Sequence, residues 1–289
     1  MARKLNARIF ILITVLLALI CTALRTVAMY TAFDADIGYF KSGALSTVSD
    51  IISLASIIAI IILAMLTKKS TATVSDLNRA NTPFAYIQLV NAAFLIIDSF
   101  FFLILYMQSK SVLDLLLVIS GIPAAVYFVI SYLYKNDIIK ISAATVAGLG
   151  MLVILWALLC IAHVYFDNFV QMNSPIKNSI QFGFLSIMIS MLADIRYLIG
   201  RPSPRFYLCA HGLAFFLCLV GTVPYELYDP RMSFIDGNYY YRLVGTMFWW
   251  CIFVAVPSLR AFTSAHKDKQ AADGEPIASD STESPDASI

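Results

Sequence analysis

Residues 84–107 read FAYIQLVNAAFLIIDSFFFLILYM, and a single carboxylate, Asp98, interrupts a run that is otherwise almost wholly apolar. The run is continuous and lacks the period-two alternation of a barrel strand. A helix needs roughly 20 such residues to cross a hydrocarbon layer about 30 Å thick, because each residue rises about 1.5 Å. Lipid offers no partner to an open backbone amide, so a spanning stretch of this kind is a helix.

Seven further runs share this character, at 9–30, 48–66, 112–134, 141–166, 176–200, 206–228 and 244–262. The expected fold is therefore all-α, a polytopic transmembrane helical bundle of about eight spans occupying residues 1–262. Composition points the same way. The chain is 60% apolar and 13% charged, against about 25% charged in soluble domains. So few polar residues cannot cover a soluble domain of 289 residues, and the lipid bilayer is the expected surroundings. A net charge of +2 gives no argument for nucleic acid as a partner.

Orientation follows from the cations, which are retained on the side of synthesis. With the N-terminus inside, Arg25, Lys41, Lys110, Lys177, Arg231 and Arg242 fall outside, and the other 14 of the 20 lysines and arginines fall inside. Both termini are expected in the cytoplasm, with the protein in a cell membrane. Residues 1–24 also have the basic start and apolar stretch of a signal peptide, which on cleavage would leave seven spans. No good small-x-small site precedes Arg25, so the first span is read as retained.

The connections are short. Between 107 and 112 the chain has room only for a tight antiparallel hairpin. The longest outer loop, 229–241, carries Asp229, Arg231, Asp236 and the group Tyr239, Tyr240 and Tyr241. Residues 263–289 are rich in Ala, Ser and Pro with acidic Asp273, Glu275, Asp280, Glu283 and Asp286, and are expected to be a disordered cytoplasmic tail. Tyr30, Phe33, Tyr39 and Phe40 outside fit an interfacial belt.

Polar groups at membrane depth each need a reason, since a charge there costs about 2.5 to 3.5 kcal/mol on insertion scales. Asp98 lies ~13 Å below the outer end of its span. Gln88, Asn91 and Asp98 share one helical face, with Ala92 and Ser99 beside it. Span two offers Ser49, Asp50, Ser53 and Ser56, and span six offers Gly183, Ser186, Ser190, Asp194 and Tyr197. Spans two, three and six are accordingly expected to meet at the bundle centre, either as helix glue or as a solute or ion pathway. Arg25, ~8 Å deep, either pairs with Asp98 or snorkels outward, and snorkelling is preferred. Asp50 and Asp114 read as helix-start carboxylates, His163 as interfacial and His211 as a packed lone histidine. Pro123, Pro224 and Pro257 should kink their spans.

Reaction signatures are missing. There is no GxSG with a histidine partner, no HExxH and no GxxxxGK[ST]. The cysteines Cys21, Cys160, Cys209, Cys218 and Cys251 all sit in apolar runs without CxxC spacing, so no metal and no cofactor is expected. A catalytic residue is not identified, and an intramembrane enzyme is the class least favoured. The leading reading is a transporter-like carrier of a small solute or ion, with Asp98, Asn91, Gln88, Arg25, Asp50, Ser53, Ser190 and Asp194 as candidate pathway residues. The competing class is a receptor or scaffold that meets a protein partner through its outer loops and tail.

Overall fold

The computed structural model describes residues 6–34, 39–41, 43–67, 86–167, 174–228 and 238–262. Expectations for the loop side chains of 229–241 and for the tail lie outside these residues. The elements are α1 (Ala7–Ala32), β1 (Phe33–Asp34), β2 (Tyr39–Phe40), α2 (Ala44–Leu66), α3 (Ile87–Ser109), α4 (Val112–Lys135), α5 (Ala143–Phe166), α6 (Pro175–Leu198), α7 (Pro204–Tyr228) and α8 (Asn238–Trp250). A π-helical turn, Cys251–Ala255, extends α8 into an apolar stretch that spans Arg242–Phe262. Eight helices are thus long and apolar enough to cross a membrane. Their limits match the expected runs to within a helical turn. Their outward faces carry Leu12, Ile51, Phe100 and Phe182 in the open, a surface suited to lipid and costly in water.

Local chemistry sets several of the ends. The Asn6 side chain accepts from the Arg8 amide, Ser142 from Thr145 and Ser174 from Lys177, each satisfying an amide that a first turn leaves open. Pro175 follows Ser174 at the start of α6, where its missing N–H costs nothing. The α3–α4 connection is the tight hairpin expected. Lys110 takes a left-handed conformation (φ 56°) and its amide bonds the Tyr106 carbonyl at 2.8 Å.

Successive spans run in alternating directions, so the bundle has two faces. One bears the start of α1. The other bears the two-stranded β1–β2 hairpin, with Phe33 opposite Phe40 and Asp34 opposite Tyr39. This hairpin departs from an all-α reading. Phe33 meets Phe40 and Tyr228 edge-on, at 5.3 and 5.5 Å between ring centroids. Three aromatic residues assigned to a belt therefore pack on the bundle's own end, with Tyr30 donating to the Leu227 carbonyl.

The expected centre of spans two, three and six is corrected. α7 is the central helix, with 67% of its apolar stretch buried against 22% for α2. It packs against α1, α2, α6 and α8, whereas α3 packs mainly on α4 and α8. Small residues on α7 permit this. A Cβ on Gly212 would come within 3.0 Å of the Phe10 ring of α1, and backbones approach closely where no side chain intervenes.

Candidate functional site

At the hairpin face the last turns of α1 and α7 meet the first turns of α2 and α6. Arg25 of α1 turns into this junction, and its side chain is 11% exposed. Nη1 donates to Asp50 Oδ1 at 3.3 Å, and Nη2 donates to Ser179 Oγ at 3.1 Å and to the Tyr225 hydroxyl at 3.3 Å. The guanidinium also lies 5.9 Å from the ring centroids of Phe40 and Tyr225, within cation–π range. Both sequence expectations for Arg25 are thereby corrected. It neither snorkels outward nor pairs with Asp98, because a polar neighbourhood at its own depth satisfies it from inside the bundle.

Arg25, Asp50 and Ser53 line one end of a cleft of about 640 Å³ between α2 and α6, floored by α7. The Arg25 Nε and the Ser53 Oγ are buried and have no hydrogen-bond partner among the described residues. Away from this polar end the lining turns apolar, through Ile57, Leu185, Ile189, Leu213 and Leu217. Leu54, Phe182 and Leu185 on its rim are well exposed, so the cleft opens sideways, toward where lipid would stand.

Asp98 sits elsewhere. It is 3% exposed, and the Thr246 hydroxyl of α8 approaches its Oδ2 at 2.6 Å and the Arg242 carbonyl at 2.8 Å. One hydroxyl proton serves one acceptor at a time, so these two compete. The α3 face does turn inward, with Asn91, Ala92, Asp98 and Ser99 buried and Gln88 half-buried. The Asn91 Nδ2 has no partner among the described residues.

Ser190 and Asp194 belong to a third group, toward the opposite face. The Trp250 indole donates to Ser190 Oγ at 3.3 Å, and Asp194 Oδ1 meets His211 Nε2 of α7 at 3.2 Å. His211 is fully buried with the Tyr207 ring 4.3 Å away. Near the hairpin face, Asp114 Oδ1 meets His163 Nε2 at 2.6 Å while Ser109 donates to its Oδ2 at 2.6 Å. Neither histidine stands alone, and Asp114 is more than a helix-start carboxylate. The sequence reading missed both pairs. Their signal is depth across consecutive antiparallel spans: Asp114 at the start of α4 meets His163 near the end of α5, and Asp194 near the end of α6 meets His211 near the start of α7.

Among the described residues, no three His, Cys, Asp or Glu side chains gather to hold a metal ion. The cysteines are free, four of them buried and Cys209 half-buried. Compared with known proteins, the chain matches no family model, no curated protein and no solved structure.

Proposed function

We propose that the protein is a multi-pass carrier in a cell membrane that takes an anionic solute at Arg25, with both termini in the cytoplasm and a cytoplasmic tail beyond residue 262. The observation that carries this reading is a guanidinium closing one end of a cleft of about 640 Å³, its Nε and the Ser53 hydroxyl of the same lining without a partner among the described residues. Binding clefts combine apolar walls with a few converging polar groups, and a guanidinium matches the planar fork of carboxylate or phosphate. Asp50 holds the site in competition. Its side chain is 65% exposed and offers the guanidinium a single contact at 3.3 Å, so an arriving anion competes with one long hydrogen bond.

A receptor would bind the same solute without passing it on. Cysteine access separates the two without knowledge of the solute. Leu213→Cys, at the deep end of the cleft, is labelled with a membrane-impermeant maleimide in right-side-out and in inverted vesicles. A carrier exposes this position to both sides in turn, giving labelling in both preparations. Labelling from the outside alone favours the receptor and removes the carrier.

A further inference from the structure

We infer that the cleft takes a membrane amphiphile, a lipid-like molecule with one anionic head group drawn from the leaflet at the hairpin face. This inference rests on the anion site at Arg25 and names the class of molecule that fills it. Three observations converge. First, the polar lining is confined to one end, where Arg25, Asp50, Ser53, Asn178 and Ser179 stand, and the remaining wall is Leu, Ile, Val and Phe with Pro175 and Gly221. A small hydrophilic anion would leave that wall wetted. Second, the apolar trough follows α6 from Asn178 to Ile189. That is about 16 Å at the rise of a helix, or roughly half of a hydrocarbon layer about 30 Å thick. The trough is as deep as one leaflet. Third, the rim formed by Leu54, Phe182 and Leu185 is exposed on the side that faces away from the bundle, so an alkyl chain enters laterally without leaving lipid.

The head group is anionic because the polar end holds a guanidinium, which only donates and whose Nε has no partner among the described residues; the Ser53 hydroxyl, likewise without one, can donate beside it. Asp50 is the internal anion that now occupies Nη1. Replacing it should strengthen binding of an external one, and this is an effect that a purely structural ion pair would not produce.

The test uses the full-length protein in detergent, with bound molecules counted by native mass spectrometry. Three probes are titrated: lysophosphatidic acid, lysophosphatidylcholine and glycerol 3-phosphate. The expected result is one lysophosphatidic acid per chain, bound at least tenfold more tightly than either of the others. Leu217→Trp, which fills the trough, weakens it tenfold or more. Arg25→Lys, which keeps the charge but loses the planar fork, weakens it severalfold, and Asp50→Asn tightens it. Gel filtration and a thermal melt establish that each variant is folded. If glycerol 3-phosphate binds as tightly as lysophosphatidic acid and Leu217→Trp changes nothing, the amphiphile is wrong and the anion site at Arg25 stands without it. Equal binding of lysophosphatidylcholine overturns the anionic head. Binding of none of the three overturns this inference together with the anion site beneath it.

Discussion

Asp98 shows how much a single buried carboxylate depends on the neighbour that satisfies it. The Thr246 hydroxyl is within 2.6 Å of its Oδ2, and a buried acceptor deprived of its donor costs about 1–3 kcal/mol, although hydrogen bonds between membrane helices average nearer to 0.6 kcal/mol. Thr246→Val, which keeps the shape and removes the hydroxyl, should lower stability by roughly 1 kcal/mol in chemical unfolding from micelles, and Thr246→Ser should cost less. Unchanged stability in Thr246→Val would mean that the hydroxyl serves the Arg242 carbonyl instead. The sequence exposed Asp98 as a group in need of a partner, because a carboxylate in a run of Phe, Leu and Ile has no local one. It could not name Thr246, which lies 148 residues away and is an ordinary threonine in an apolar stretch. Arg25 was harder still. Its distance from the end of α1 is close to that of Asp50 from the start of α2, and matching depths across antiparallel spans would have ranked Asp50 above Asp98; Ser179 and Tyr225 stand nearer to the ends of their helices and gave no such signal.

Packing of whole helices turns on positions where a side chain is missing. A Cβ on Gly121 of α4 would come within 2.3 Å of Ser99 Oγ on α3 and 3.4 Å of the Trp156 ring on α5. The Ser99 hydroxyl is held by its bond to the Leu95 carbonyl at 2.7 Å, so it cannot swing aside freely. Overpacking of this kind costs about 1–3 kcal/mol. Gly121→Ala should lower the melting temperature in detergent, and Ser99→Ala added to it should restore most of the loss. A melting temperature left unchanged by Gly121→Ala would show that the α3–α4 contact yields readily. The π-turn that follows α8 has a similarly local cause. Pro257 has no amide hydrogen and its ring presses on the carbonyl four residues before it. The chain widens just upstream, where the Val256 amide bonds the Cys251 carbonyl five residues back. The proline was legible as a disturbance. Its resolution as a π-turn, with Cys251 Sγ reaching the Phe215 carbonyl of α7, depends on a neighbour the sequence does not place.

At the scale of the molecule, hydropathy alone marked out all eight helices, since each must satisfy the same length and polarity whatever it packs against. The order in which they assemble was not legible, because lipid-facing and buried positions are both apolar and only glycine, alanine and scattered hydroxyls separate them. α7 at the centre, with Gly212 against Phe10 and His211 against Asp194, follows from such small residues. Orientation rests on a different argument, the expected retention of cations on the side of synthesis, and it decides which leaflet would supply the proposed amphiphile. With the N-terminus inside, the hairpin face, Arg25 and the polar end of the cleft all look outward. An enzyme that is active only outside the cell, inserted near Asp236, should then be active, and the same enzyme fused after Phe262 should be silent. Activity after Phe262 and silence near Asp236 would invert the molecule. Arg25 would face the cytoplasmic leaflet, and the amphiphile it binds would come from the inner lipid, where anionic head groups are concentrated.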